Sequence, residues 1–283
     1  MTEPLDDRQE PAVRSISSGR GRPPARPKPL RRGEGPRPRE TVRADVFLVR
    51  KGFAASRAEA SAAIAAGGVH ANGKIVTKPS TLVADDAQVM FERAHPYVSR
   101  GGIKLAAALD HFSLSPEGLA CLDIGASTGG FTQVLLKRGA KHVTAIEVGH
   151  GQLSPAIAND PRVTSLEGMN ARDLSAAQIP EPPQAIVADV SFISLKLALP
   201  NALALAAPGA WLVALFKPQF EVGRDNIGKG GIVRDAVARA AALSDFVRWL
   251  SADQKWTVVG SMQSPIEGGD GNMEYLVAAG RVR

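Results

Sequence analysis

Residues 120–131 read Ala-Cys-Leu-Asp-Ile-Gly-Ala-Ser-Thr-Gly-Gly-Phe, and no other stretch constrains the fold as much. An apolar run ends in Asp123. A loop with Gly125, Gly129 and Gly130 follows, and a helical pattern opens at Phe131. Strand, tight glycine loop and helix amino terminus, in that order, aim backbone N–H groups and the positive end of a helix dipole at one spot, where a nucleotide-type cofactor can bind. A dinucleotide fingerprint needs G-x-G-x-x-G so that the backbone can touch a pyrophosphate. Here the spacing is D-x-G-x-x-x-G-G, and Ser127 stands where the second glycine would be. That disfavours a nicotinamide dehydrogenase and favours a cofactor without a pyrophosphate, S-adenosylmethionine first.

The rest of residues 99–283 alternates in the βαβ manner. Strands are predicted over Ala120–Ile124, Val143–Ile146, Ala185–Ala188, Ala210–Phe216, Trp256–Val259 and Tyr275–Ala279, with helices between them such as Phe131–Arg138 and Asp235–Leu250. This predicts an α/β, Rossmann-like, doubly wound and mostly parallel sheet, with ligands at the carboxyl ends of its strands. Leu197–Phe216 has no charged residue and is long enough to span a bilayer. Pro200, Asn201, Pro208 and Gly209 interrupt it, so a helix, a Pro-Gly turn and a buried strand are expected instead, and no membrane partner.

Charged residues recur where the predicted strands stop: Asp123, Glu147, Asp189 and Lys217. An acid at the end of the second strand can accept hydrogen bonds from ribose hydroxyls. Two glycine-paired segments flank this region, Ser99-Arg100-Gly101-Gly102-Ile103-Lys104-Leu105 and Glu267-Gly268-Gly269-Asp270-Gly271-Asn272-Met273-Glu274.

A length of 283 residues suits about two domains. Three segments are expected: a disordered, Arg/Pro-rich basic tail over 1–42, a small α+β module over 43–98, and the α/β domain over 99–283. Within the module, Ala44–Val49 reads as a short helix. Ser56 and Glu59 match a capping box. Asn72-Gly73 signals a hairpin, and Val83–Phe91 reads as a last strand. The net charge is +6, and its excess lies in the first third: ten Arg/Lys against six Asp/Glu in 1–42, seven against five in 43–99, and seventeen of each in 100–283. Such asymmetry points to a polyanion, with nucleic acid first. The single cysteine, Cys121, cannot form an internal disulfide, and the acidic amino terminus shows no secretory signal, so the cytoplasm is expected.

The module resembles the RNA-binding domain shared by a small-subunit ribosomal protein, pseudouridine synthases and tyrosyl-tRNA synthetases. Arg43-Ala44-Asp45-Val46-Phe47-Leu48, Ser56-Arg57-Ala58-Glu59-Ala60 and Ala66-Gly67-Gly68-Val69-His70-Ala71-Asn72-Gly73-Lys74 carry the likeness. It implies RNA contacts from Arg43, Arg50, Lys51, Arg57 and Lys74, to which Arg100 at the head of the α/β domain is added. With SRGGIKL, CLDIGASTGGFTQVLL, AIEVGHGQL, ADVSFISL and FKPQFEVGR in this order, the chain resembles the TlyA family of RNA ribose methyltransferases, whose catalytic domain is FtsJ-like.

That resemblance implies S-adenosylmethionine-dependent 2′-O-methylation of a cytidine in ribosomal RNA, with ribosomal subunits as partners and no metal. It assigns a catalytic set to Lys104, Asp189, Lys217 and Glu274. It assigns cofactor contacts to Asp123, Gly125, Ser127, Thr128, Gly129, Gly130, Phe131, Glu147 and Asp189. The acid ending the second strand is usually Asp in the family, and here it is Glu147. Lys217 could act as the base or as a cation stabilising an alkoxide. The competing expectations are a non-catalytic RNA-binding protein and a membrane-active haemolysin, a label the family has carried.

Overall fold

The computed structural model describes residues 40–282. The basic tail expected over 1–42 lies outside the described residues except at its end, where Thr41 and Val42 belong to a strand. These two β-branched residues extend the chain, and Val42 packs on the core of the amino-terminal module.

That module runs β1 (Thr41–Arg43), α1 (Ala44–Arg50), α2 (Arg57–Ala65), β2 (Val69–Ala71), β3 (Lys74–Ile75), β4 (Leu82–Ala84) and β5 (Val89–Phe91). β1 pairs with β4, and β3-β2-β5 form a second small sheet. Both turn residues between β2 and β3 are left-handed, Asn72 at φ 50° and Gly73 at φ 75°. This is the turn that matches strand twist in a two-residue hairpin. Ser56 caps α2 by accepting the Glu59 N–H at 3.2 Å. The Glu59 carboxylate accepts the Ala55 N–H at 2.7 Å and pairs with Arg93, so the box expected at Ser56 is only half formed. The single strand expected over Val83–Phe91 is two strands in different sheets. Asp85 and Asp86, poor strand formers, occupy the turn closed by the Ala87 N–H on the Ala84 carbonyl. Phe47, Leu48, Ala60, Ile64, Val69 and Val83 form the module's core.

The second unit continues with α3 (Gly101–His111), β6 (Ala120–Ile124), α4 (Gly130–Lys137), β7 (His142–Glu147), α5 (Pro155–Ala158), β8 (Val163–Glu167), β9 (Ala185–Ala188), α6 (Leu195–Ala198), α7 (Pro200–Leu205), β10 (Trp211–Phe216), α8 (Ala236–Ala252), β11 (Trp256–Gln263) and β12 (Tyr275–Arg281). The sheet order is β11-β12-β10-β9-β6-β7-β8, with β12 antiparallel to both its neighbours and the other adjacent pairs parallel. β6 and β9 flank the point where the strand order reverses. The apolar runs are buried on both faces, against Leu105, Leu109 and Leu135 on one side and Leu199, Leu203 and Phe246 on the other. β8 was not among the expected strands: Val-Thr-Ser-Leu-Glu is half polar because it forms a sheet edge.

The uncharged run folds as expected into α7, a turn at Pro208-Gly209 and buried β10. Among the described residues, no helix is long and apolar enough to cross a membrane. Parallel pairing brings the carboxyl ends of β6, β7, β9 and β10 to one edge. β12, running the other way, begins there. The register Phe216↔Tyr275 sets Lys217 across from Glu274.

Candidate active site

The loop after β6 is drawn tight against its neighbours. Gly125 has φ 79°, and a Cβ there would meet the Asp189 carbonyl oxygen at 2.5 Å; a Cβ at Gly130 would lie 2.0 Å from Ser99 Oγ. At Gly125, where the obstructing atom is backbone and φ is positive, only glycine lets the loop come this close. Ser127 sits at φ 48°, a left-handed conformation uncommon for a residue with a side chain. Its N–H donates to Glu147 Oε2 at 2.9 Å, and the Gly149 N–H donates to Glu147 Oε1 at 2.8 Å. The carboxylate ending β7 thus ties its own loop to the glycine loop. Each oxygen keeps a second lone pair for a ligand hydroxyl.

Asp123 is fully buried. One oxygen accepts from Thr132 Oγ1 at 2.6 Å, and the other has no hydrogen-bond partner. Burial pushes its carboxyl up to about 7; the Thr132 hydrogen bond opposes this, and the charges of Asp189 and Glu147 add to it. Beside it opens a cleft of about 410 Å³, walled by Ile146, Met169 and Ile193 and edged by Glu147, Gln152 and Asn170. A second recess of about 90 Å³ shares Gly125, Ser127 and Asp189 with the first and adds Ser99, Gly101, Thr128, Gly130 and Phe131.

Two ion pairs stand on this edge. Lys217 Nζ lies 2.6 Å from Asp189 Oδ1 and donates to Ser191 Oγ at 2.9 Å. Lys104, in the first turn of α3, forms a buried pair with Glu274, which precedes β12. The start of α3 reaches the first pair: a Cβ on Gly101 would lie 3.5 Å from Asp189 Oδ2. All four residues of the expected catalytic set are therefore gathered around one edge. The expected cofactor residues line the recesses, except Gly129, whose left-handed φ of 93° caps α4, and Asp123, which stands behind the wall.

The expected RNA contacts divide differently. Arg43 and Arg57 both hydrogen-bond the buried Asp45, and the Arg43 hydrogen bond foremost holds that carboxyl well below the ordinary range. Arg50 and Lys51 share Asp85. Lys74 stands apart, exposed at the hairpin. Arg100 begins α3 beside Gly269. Exposed Arg224, Lys229 and Arg234, absent from the expected set, have no ion-pair partner among the described residues. They occupy the segment after Lys217. Asn272, only 1% exposed, pins that segment to the loop carrying Glu274, accepting the Val233 N–H at 2.9 Å and donating to the Gly231 carbonyl at 2.9 Å.

Sequence reasoning passed over three further features. Phe192 is 92% exposed at the cleft mouth, left-handed at φ 64°, with its ring 5.3 Å from that of Phe220. An exposed aromatic held in a disfavoured conformation is a mark of function; its only signal in sequence is a place three residues after Asp189. Glu167, ending the unrecognised β8, accepts the N–H groups of Gly151, Gln152 and Leu153 at 2.6, 2.8 and 3.0 Å, and so holds the cleft's edge. Glu221 links the loops after β9 and β10. Among the described residues, no group of three or more His, Cys, Asp or Glu side chains could hold a metal ion.

Comparison with known proteins shows which family the chain resembles. The FtsJ-like methyltransferase model matches residues 97–281, and an S4 domain model matches residues 42–89. The chain is 45% identical over 238 residues to the 16S/23S rRNA (cytidine-2'-O)-methyltransferase TlyA of Mycobacterium tuberculosis, covering 83% of this chain and 88% of that one. It is 42% identical over 236 residues to Hemolysin A of Brachyspira hyodysenteriae, covering 83% and 98%. A solved structure from Streptococcus thermophilus, described as a candidate hemolysin, superposes with a TM-score of 0.68 at 40% identity, covering 86% of this chain and 89% of that one.

Proposed function

The chain belongs to the FtsJ-like methyltransferases, within the TlyA family, and from that membership we propose that it transfers a methyl group from S-adenosylmethionine to the 2′-hydroxyl of a cytidine in ribosomal RNA. The observation that carries this reading is the meeting of Asp189–Lys217 and Lys104–Glu274 on one edge, beside a cleft suited to that cofactor. The cleft's chemistry fits. Ile146, Met169 and Ile193 offer an apolar slot for a flat base, and Glu147 has lone pairs for ribose hydroxyls. Two carboxylates in the lining, Glu147 and Asp189, suit a ligand carrying positive charge.

When bound, the cofactor supplies a methyl group already activated on a positively charged sulfur. The protein's task is to place one hydroxyl and stabilise the charge it develops. Lys217, paired with Asp189, brings its side-chain nitrogen to the reacting edge, where in this reading it stabilises the negative charge that develops on the attacking oxygen, the hydroxyl proton passing to water. Ser191 and Asp189 fix the direction of that ammonium. Lys104 and Glu274 hold the ribose and its phosphate, and alignment supplies much of the rate. Phe192 offers a face on which a base turned out of its stack can lie. Arg100, Arg224, Lys229 and Arg234 provide phosphate contacts around the acceptor, while the S4 domain docks on folded RNA. With ribosomal RNA as substrate, the protein works in the cytoplasm.

The direct test is transfer of labelled methyl from S-adenosylmethionine to ribosomal subunits, with the product mapped by mass spectrometry. Lys217→Ala should bind the cofactor with unchanged affinity while losing turnover by about 10²–10³, as expected for removing one charge stabiliser. Near-wild-type turnover in that variant would overturn the assignment of Lys217.

A further inference from the structure

The loops after β9 and β10 run side by side and are joined at three successive levels. At the first, Lys217 meets Asp189 and Ser191. At the second, Phe220 packs on Phe192. At the third, Glu221 Oε2 accepts from Ser194 Oγ at 2.6 Å, and its Oε1 accepts the Leu195 N–H at 2.8 Å. The first two levels carry groups that the reaction uses. The third lies outside the lining of both recesses, and burial raises the pKa of its carboxyl. A partly desolvated carboxylate is costly unless both oxygens are satisfied by fixed donors, and here both are. Ser194 itself caps α6 by accepting the Lys196 N–H at 3.2 Å, so the donors are anchored to a helix start and cannot drift.

We propose that Glu221 is a positioning residue: it locks the β10 loop to the start of α6 and thereby sets the spacing of Lys217 from Asp189 and of Phe220 from Phe192. This rests on the methyltransferase reading given above. Without the lock, the ring pair Phe192–Phe220 is the one side-chain contact left between the two loops beyond Lys217 among the described residues, and the left-handed Phe192 loses part of the frame that holds it.

The test uses the full chain with ribosomal subunits as substrate. Glu221→Ala should lower kcat about tenfold to a hundredfold at saturating cofactor and RNA, in line with misplacement of catalytic groups by an ångström or less. Glu221→Gln should restore most of it, because its Oε1 can accept the Leu195 N–H while its amide donates to Ser194 Oγ. Ser194→Ala, which removes one arm together with the cap on the Lys196 N–H but leaves the Leu195 arm, should lower kcat less than Glu221→Ala and serves if Glu221→Ala does not fold. Hydrogen exchange at the Leu195 amide gives a readout independent of catalysis: protected in the wild type and Glu221→Gln, fast in Glu221→Ala. Wild-type kcat in Glu221→Ala overturns the proposal. So does a Gln variant as impaired as the Ala variant with Leu195 still protected, because charge and not the lock would then be responsible. Absence of methyl transfer by the wild type would instead count against the methyltransferase reading, leaving the exchange result to judge the lock.

Discussion

At the scale of single residues, the proposed site carries two costs, one electrostatic and one conformational, that do not favour stability. Asp123 is the first. A folded-state value of about 7 against an unfolded value near the ordinary 3.8 means that the fold prefers the protonated form. Below about pH 4 both states are protonated and no penalty exists. Between 4 and 7 the unfolded chain is ionised while the folded one holds its proton, so stability falls with rising pH, and above 7 the full penalty of about 4 kcal/mol is in place. Asp123→Asn should therefore flatten the stability profile between pH 4 and 7 and raise the melting temperature of the ligand-free protein at pH 8. Thermal melts across that range check this, and an unchanged slope would refute it. The second cost is Phe192. Its left-handed backbone costs about 1 kcal/mol that glycine would avoid, while glycine gives back a similar amount through unfolded-state entropy. Since the ring is almost fully exposed, Phe192→Gly should leave stability within about 1 kcal/mol of wild type and still depress methylation at least tenfold through KM for RNA. A variant that methylates normally would remove Phe192 from the acceptor site.

At the scale of elements, what could be read in the sequence is what is encoded locally. β6, its glycine loop and the start of α4 follow from an apolar run, positive-φ positions and a helix start within twelve residues. β9 has the bounds expected of it, and β10 begins one residue later than expected, at Trp211. β8 escaped because a half-exposed edge strand has no apolar run to betray it. The Val83–Phe91 strand failed because one apolar window spans a turn at Asp85-Asp86. Cross-strand facts were out of reach: nothing local says that β12 pairs with β10 in the register that faces Lys217 with Glu274, or that Glu167 gathers three N–H groups from a loop fourteen to sixteen residues away. That last element has a measurable consequence. These N–H groups hold the Glu167 pKa down and fix the loop bearing Gln152, which lines the cleft. Glu167→Ala should weaken cofactor binding on the order of tenfold by calorimetry with RNA affinity unchanged. A cofactor affinity equal to wild type would show that the loop needs no such anchor.

At the scale of the whole molecule, the distribution of paired and unpaired charge reshapes the expected division of labour. By net charge, the basic excess belongs to the amino-terminal third. By geometry, four of the five cations expected to meet RNA on the S4 domain already share two aspartates: Arg43 and Arg57 on Asp45, Arg50 and Lys51 on Asp85. Around the acceptor edge the reverse holds, for the α/β domain is neutral in total yet leaves Arg100, Arg224, Lys229 and Arg234 without ion-pair partners among the described residues. A cation whose charge is shared with a carboxylate releases fewer counterions on meeting a phosphate, so it adds less to the salt dependence of binding. It can still fix orientation through its hydrogen bonds. The S4 domain is then expected to contribute shape recognition, and the edge around Lys217 the steep electrostatic component. Removing Arg224, Lys229 and Arg234 together by alanine substitution should reduce the slope of log affinity against log salt by about 0.7 for each phosphate that the protein no longer neutralises, with cofactor binding intact. Deleting the S4 domain should instead weaken binding to folded ribosomal RNA far more than to an unstructured strand, with a smaller change in slope. Both variants titrated against structured and unstructured RNA over a range of salt would decide it. If the slope follows the S4 deletion and ignores the triple substitution, the aspartate-paired cations open on binding and carry the phosphate contacts after all.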